Sequence, residues 1–121
     1  MKIAICSQSN NVQSNVDPRF GRAAFFAVYD DAAKEWEFIE NSQNLQAAQG
    51  AGIQAAQAMI DTGVNVLLAS NVGPKAMAAL AANDIAVFNA AGGTPLEQAV
   101  TEYNSGHLNQ MQQANVEGHW V

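Results

Sequence analysis

The stretch "VNVLLASNVGPKAMAALAANDIAVFNA" (residues 64–90) contains two short apolar runs on either side of a helical pattern. The runs VNVLLAS (64–70) and IAVFNA (85–90) carry no charged residue, which is typical of strands buried on both faces. Between them, GPKAMAALAAN (73–83) has Pro74 where a helix begins. This order predicts a β-α-β unit, in which the two strands are parallel and joined by a right-handed crossover.

Two further helices are predicted on either side of this unit. GAGIQAAQAMIDTG (50–63) places apolar residues at helical intervals and ends in Gly63, a favourable residue for a helix C-terminus. TPLEQAVTEYNSG (94–106) has the pattern of a capping box, with Thr94 as the N-cap and Glu97 three residues later. Helices that alternate with strands in this way indicate an α/β protein.

The N-terminal part of the chain has the pattern of antiparallel strands. KIAIC (2–6) is predicted to be a central strand, and AAFFAVYD (23–30) a second one. EWEFIEN (35–41) alternates charged and apolar residues, with Trp36 and Phe38 on one face. That alternation predicts a half-exposed third strand that forms a hairpin with the second.

The element order is therefore β-β-β-α-β-α-β-α. It predicts a mixed five-stranded sheet with helices packed on it, in the manner of a ribonuclease-H-like α/β fold. We expect residues 1–108 to form one domain, since 121 residues suit a single core, and residues 109–121 to form a loose, amide-rich C-terminal tail.

Composition limits the partners and the compartment. The net charge is −6 with five Lys and Arg in all, so nucleic acid is not an expected partner. The one cysteine excludes an internal disulfide and indicates a reducing compartment. The N-terminal apolar run is too short for a signal peptide or a membrane span, so we expect a cytoplasmic protein without a membrane partner.

The loops that follow the predicted parallel strands are small, polar and rich in glycine. Ligands of open α/β sheets gather at this edge, where helix N-termini present unpaired N–H groups to an anion. Two of these loops, SNVGP (70–74) and NAAGGTP (89–95), lead directly into helices. The candidate binding residues in them are Ser70, Asn71, Gly73, Gly92, Gly93 and Thr94.

The long loop after the first strand carries two of the five cations, Arg19 and Arg22. We expect these arginines to close an anion pocket at the same edge, because the planar guanidinium offers several donors and keeps its charge. Phe20 would then add an apolar wall suited to a soft, polarisable ligand.

A plainer interpretation of the same arginines stays open. Arg19 could pair with Asp17, and Arg22 could pair with Asp30 or Asp31. Surface ion pairs of this kind are common and contribute little to stability.

Cys6 ends the first strand near this edge and could be a thiolate ligand for a metal. A lone cysteine in a strand is more often a small buried hydrophobe. His107 and His119 lack the spacing of a zinc site, and the central strands lack the carboxylates that a two-metal nuclease needs.

The chain resembles the dinitrogenase iron–molybdenum cofactor biosynthesis family over about residues 1–108. The resemblance rests on "DPRFGRAAFFAVYD", on "GAGIQAAQAMIDTGVNVLLASNVGPKAMAALAANDIAVF" and on "GTPLEQAVTEYNSGHL". That family includes carriers of nitrogenase cofactor precursors and an orange protein that holds a molybdenum–copper sulfide cluster. Its fold is ribonuclease-H-like.

The resemblance implies a non-enzymatic carrier of an anionic cluster, either a molybdenum–copper sulfide or an iron–molybdenum cofactor precursor, with a protein that donates or accepts it. It implies that the contact loop is Arg19, Phe20, Gly21 and Arg22. Family members often have a histidine before "GAG", where this chain has NLQAAQ (44–49), so non-covalent capture is implied here. The alternative is a regulatory or partner-binding module of the same family that holds no cluster. A small phosphate-binding enzyme is disfavoured because no general base is evident.

Overall fold

The computed structural model describes residues 1–41 and 50–114 and contains five strands and three helices in those ranges. Gly63 ends the first helix in a left-handed conformation and Pro74 opens the second, as predicted. The elements are β1 (Lys2–Ser7), β2 (Phe25–Asp30), β3 (Glu35–Glu40), α1 (Ala51–Thr62), β4 (Val66–Ala69), α2 (Pro74–Ala82), β5 (Ala86–Asn89) and α3 (Leu96–Asn104).

The strands form one mixed sheet in the order β3-β2-β1-β4-β5. β1 and β2 are antiparallel, as are β2 and β3, whereas β1, β4 and β5 are parallel neighbours. The predicted ribonuclease-H-like α/β fold with a mixed five-stranded sheet is confirmed. None of the helices in the described ranges has the length and apolar character needed to cross a membrane.

The helices cover the two faces of the sheet unequally. α1 and α2 pack on one face, where Met59 and Leu80 join a core cluster with Ala4 and Cys6 of β1. Of the helices in the described ranges, α3 is the one on the other face, where Leu96 joins the cluster of Ile3 and Ile5. Alternate residues of β1 therefore serve two separate cores, which is why residues 3–6 of the strand are all apolar.

β3 has the predicted two-faced pattern. Trp36 and Phe38 pack on the α3 side, and Ile39 packs on the other side. At the start of the hairpin turn, the Asp30 carboxylate accepts hydrogen bonds from the N–H groups of Ala32 and Ala33. These bonds, that of Ala33 first, hold the pKa of Asp30 below its usual value.

The predicted capping box of α3 is wrong. The helix begins at Leu96 after Pro95, and no side chain caps its N-terminus. Thr94 instead closes a turn, in which its N–H donates to the Ala91 carbonyl at 3.2 Å, and its own carbonyl accepts the Val16 N–H at 2.8 Å. The chain passes along a neighbouring loop before it enters the helix, and this tertiary pairing takes precedence over the local capping pattern.

The amide-rich tail begins with three residues that are fixed rather than loose. Asn89 donates its N–H to the Asn109 carbonyl at 2.8 Å, and Met111 donates to Val87 at 2.7 Å. This short pairing covers the free edge of β5, which would otherwise expose unpaired backbone groups. Residues 115–121, including Trp120 and His119, lie outside the described residues.

All three helices begin at the same edge of the sheet. We call this the carboxyl edge, because β1, β3, β4 and β5 end there. α2 and α3 follow β4 and β5 directly. α1 ends at the opposite edge, where the Thr62 carbonyl accepts a hydrogen bond from the Lys2 ammonium at 3.4 Å, so its N-terminus also faces the carboxyl edge.

Candidate functional site

The loop between β1 and β2 folds back across the carboxyl edge. Asp17 donates its N–H to the Cys6 carbonyl at 2.8 Å, which holds the loop against the end of β1. Val16 exchanges backbone hydrogen bonds with the loop after β5, donating to Thr94 at 2.8 Å and accepting from Gly93 at 2.9 Å. Sequence-distant segments are thereby joined as a short antiparallel pair.

The next residues of this loop contact both other loops of the edge. The Asn71 side-chain amide donates to the Pro18 carbonyl at 2.7 Å, and Asn71 pairs with Arg19 in a parallel bridge. On the other side, a Cβ atom added at Gly92 would lie 2.9 Å from the Pro18 Cβ. Glycine is required there because the two chains approach closely.

Ser70 links the loop after β4 to the loop after β5 through a side-chain hydrogen bond. Its hydroxyl donates a short hydrogen bond to the Ala90 carbonyl, and the Ala90 N–H donates to the Ala69 carbonyl at 2.9 Å. The two loops that leave β4 and β5 are therefore tied to each other as well as to the long loop. The structure brings together six of the predicted site residues: Arg19, Ser70, Asn71, Gly92, Gly93 and Thr94.

Arg19 lies at the surface of this assembly. Its side chain is 55% exposed, and its Nε lies 3.6 Å from Oδ1 of Asp17, so the simple pairing with Asp17 is confirmed. The pairing is loose, since this distance exceeds that of a hydrogen bond. The Asp17 carboxylate is 7% exposed and accepts a hydrogen bond from the Arg19 backbone N–H at 2.9 Å. This buried contact holds the loop in place. The guanidinium remains accessible to an anion from solvent.

Arg22 lies at the β2 side of the same edge. Its predicted pairing with Asp30 or Asp31 is wrong, because β2 carries the chain to the opposite edge before those residues. The position of Arg22 is set instead by its neighbours. The buried side-chain amide of Asn41 donates to the carbonyls of Gly21 at 3.1 Å and Ala23 at 2.8 Å.

Phe20 does not form a wall of the site. It is fully buried and packs against Phe26 with a distance of 5.7 Å between the ring centroids. Gly21 is buried beside it. Phe20 therefore anchors the arginine loop to the core, and a ligand at the surface meets the arginines without an aromatic contact from this residue.

The structure also contradicts a metal-ligand role for Cys6. The side chain has no exposure, and burial, with the nearby Asp17 charge, raises the pKa of the thiol far above its usual range. The thiol stays protonated and behaves as a small core residue. The described residues contain no group of three His, Cys, Asp or Glu side chains that could hold a metal ion.

The helix N-termini add positive potential to this edge. α2 follows Gly73, which is extended at φ −78° and provides no side-chain cap. α1 follows Gly50, also without a side-chain cap, and neither helix has an acidic residue in its first turn. The first N–H groups of a helix have no partner within the helix, so these two N-termini attract anions.

Formal charge is divided between the two edges of the sheet. Among the described residues, judged by their positions in the elements, the carboxyl edge has three cations and three carboxylates: Arg19, Arg22 and Lys75 with Asp17, Glu40 and Glu97. The opposite edge has two lysines and six carboxylates: Lys2 and Lys34 with Asp30, Asp31, Glu35, Asp61, Asp84 and Glu102. Most of the net negative charge thus lies away from the candidate site.

Comparison with known proteins identifies the class of protein to which this fold belongs. Residues 1–106 match the dinitrogenase iron-molybdenum cofactor family, and the chain belongs to that family.

Solved structures and a curated relative are similar over nearly the whole chain. The apo form of the orange protein from Desulfovibrio gigas is 38% identical, with a TM-score of 0.91 over 95% of this chain and 96% of that chain. A putative NifB protein from Thermotoga is 33% identical, with a TM-score of 0.82 over 97% and 98% of the two chains. An uncharacterised protein of Methanocaldococcus jannaschii is 29% identical over 89% of each chain.

Proposed function

We propose that this protein is a non-enzymatic carrier of an anionic metal–sulfur cluster that contains molybdenum with iron or copper. The cargo is captured without covalent bonds at the carboxyl edge. The observation that supports this proposal is the convergence of the Arg19 loop with the loops after β4 and β5, beside the uncapped N-terminus of α2.

The donors at this edge suit capture by charge and hydrogen bonds. An accessible guanidinium and unpaired helix N–H groups bind a polyanion without replacing its own ligands. The one cysteine is buried with its thiol protonated, so it supplies no thiolate ligand. A cluster that carries its own sulfide ligands can therefore be bound intact and released intact.

The same arrangement favours a carrier over a catalyst. Asp17, the carboxylate in contact with the loop, accepts a backbone hydrogen bond and lies against Arg19. His107 follows the C-terminus of α3, at the opposite edge of the sheet. Neither group is placed to act as a general base on a ligand at the carboxyl edge.

Membership in the iron-molybdenum cofactor family and similarity to the orange protein support a role in handling such cofactors. A carrier receives its cargo from one protein and passes it to another, so we expect a protein donor or acceptor. The single reduced, buried cysteine fits a cytoplasmic location.

Reconstitution with defined reagents tests the proposal. The protein is mixed with tetrathiomolybdate and copper, desalted, and assayed for bound molybdenum and copper and for sulfide-to-metal charge-transfer absorption. Removing both arginines (Arg19→Ala with Arg22→Ala) should weaken uptake about tenfold or more, because a charged hydrogen bond contributes about 1.5–3 kcal/mol.

The matched control removes two cations from the opposite edge, with Lys2→Ala and Lys34→Ala. We expect this variant to bind cargo as the wild type does. Equal losses in both double variants would show that overall charge, and no particular site, governs uptake. A wild-type protein that retains no metal would contradict the carrier function and favour a regulatory or partner-binding module.

A further inference from the structure

A groove lies between α3 and the β2–β3 hairpin, on the face of the sheet where α3 packs. Its cavity volume is about 320 Å³. None of the candidate site residues at the carboxyl edge lines it. The lining residues are Tyr29, Asp31, Lys34, Trp36, Glu97, Val100, Thr101 and Asn104.

The floor of the groove is aromatic. Tyr29 and Trp36 are directly paired across β2 and β3, and their ring centroids are 4.8 Å apart at an angle of 44°. Phe38 continues the row, with its centroid 6.4 Å from that of Trp36. All three side chains are only half-buried, so ring surface stays open to solvent. The faces of such rings carry negative electrostatic potential and attract cations.

One face of α3 forms the wall of the groove. Its four lining residues are spaced i, i+3, i+4 and i+7, so they form a stripe about 10 Å long. Glu97, in the first turn, places an exposed carboxylate along this wall. Asp31, in the hairpin turn, adds a second carboxylate, and Lys34 is the one cation in the lining.

We propose that this groove docks an arginine-bearing, basic segment of a partner protein. An arginine side chain can stack its planar guanidinium on the exposed rings while its donors bind the groove carboxylates. Lysine fits less well, because its compact ammonium does not stack. The carboxylates at the edge where the hairpin turn lies, Asp30 and Glu35 among them, would attract such a segment and orient it on approach.

An extended peptide segment suits the groove better than a small cation does. The groove is elongated along one helix face and open to solvent, and its carboxylates come from two separate elements. A segment with arginines at two positions can contact both while its backbone runs beside α3. The proposal does not depend on cargo binding at the carboxyl edge, so each can fail while the other stands.

Titration with a synthetic peptide tests the docking. The probe is the blocked pentapeptide Gly-Arg-Gly-Arg-Gly, added to the full chain at low salt and followed by amide and indole NMR shifts. We expect shifts concentrated in Tyr29, Trp36 and the exposed face of α3. Replacing both arginines of the peptide with citrulline, a neutral isostere, should abolish the shifts.

Variants of the protein distinguish specific binding in the groove from nonspecific electrostatic attraction. Trp36→Leu removes the stacking surface, and Glu97→Gln removes one carboxylate; each should weaken binding about two- to fivefold. Glu37→Gln is the matched control, because Glu37 lies on the same strand as Trp36 but points to the other face. It removes the same charge as Glu97→Gln and should leave binding unchanged. Glu97→Gln keeps the test valid if the Trp36 variant folds poorly.

Three results would overturn the proposal. The first is equal weakening by Glu37→Gln and Glu97→Gln, which would mean diffuse electrostatic attraction. The second is equal binding of the citrulline peptide. The third is saturable binding of tetramethylammonium without binding of the peptide, which would make the groove a small-cation site.

Discussion

Replacement of Asn41 tests how the loop that carries Arg22 is held. In the native protein Asn41 is 1% exposed. Its side-chain amide donates hydrogen bonds to the backbone carbonyls of Gly21 and Ala23. Its backbone N–H donates to the Ala24 carbonyl at 3.0 Å, and this bond survives substitution. Asn41→Ala therefore deletes these two hydrogen bonds and leaves the Gly21 and Ala23 carbonyl oxygens without that donor.

The expected loss follows from these contacts. A buried hydrogen bond contributes about 1 kcal/mol net, and a buried group left unsatisfied costs about 1–3 kcal/mol. We expect Asn41→Ala to lower the free energy of unfolding by about 2–4 kcal/mol, a large part of the stability of a domain of this size. Urea unfolding followed by circular dichroism measures it, and an unchanged m-value would show that the two-state transition is preserved.

A matched control separates burial from hydrogen bonding in general. The Asn83 side chain also donates to a backbone carbonyl, that of Ala79 at 2.9 Å, but at an exposed position. Asn83→Ala should cost less than about 0.5 kcal/mol, because water replaces the lost partner. If the Asn41 and Asn83 variants lose the same stability, Asn41 does not hold the loop. Cluster uptake by Asn41→Ala should also fall, since Arg22 would no longer be positioned.

Three further predictions concern the rest of the carboxyl edge. Gly92→Ala and Gly93→Ala should each destabilise the fold by about 1–2 kcal/mol, the first by a clash with Pro18 and the second through its φ of +89°. Cargo uptake should fall in Gly92→Ala alone. Equal uptake by the Gly92 and Gly93 variants would show that the close approach of Gly92 to Pro18 does not shape the site. Asp17→Asn keeps an oxygen acceptor for the loop but removes the charge, so it should tighten anion binding about two- to fivefold; weaker binding in a titration with tetrathiomolybdate would contradict this. The pKa of the Cys6 thiol is raised in the folded state, so the unfolded chain loses this proton first as pH rises. Stability should therefore decline by up to about 1.4 kcal/mol per pH unit above about 8.5, and Cys6→Ala, measured by urea unfolding across that range, should lack this decline.

The fold could be predicted because its signals are local. The β-α-β stretch at 64–90 carries its own strand and helix periods, and the right-handed crossover rule then fixes the parallel pair. The alternation of charged and apolar residues in 35–41 likewise predicted a half-exposed strand of a hairpin. Such patterns need no knowledge of distant residues. The place of the loops at the carboxyl edge follows from the same topology.

The parts of the site that could not be predicted depend on contacts between distant residues. The sequence places Phe20 between two arginines, and nothing local shows that its ring turns inward to meet Phe26. Thr94 matches a capping box, but the pairing with Val16 takes its backbone elsewhere. Asn41 acts on carbonyls 18 and 20 residues earlier in the chain, and an asparagine at the end of a strand gives no sign of that.

The acidic net charge is compatible with the proposed anion site, because the sheet separates the charges. Six residues of β1 place the two edges roughly 20 Å apart. That distance is about two and a half times the Debye length at physiological ionic strength, roughly 8 Å, so the carboxylates of the far edge are largely screened at the carboxyl edge. In the proposed site, we expect the local balance of arginines, helix N-termini and Asp17 to decide what binds. If both proposals hold, the acidic edge would attract a basic partner without opposing the cargo, so cargo and partner would not compete for one surface.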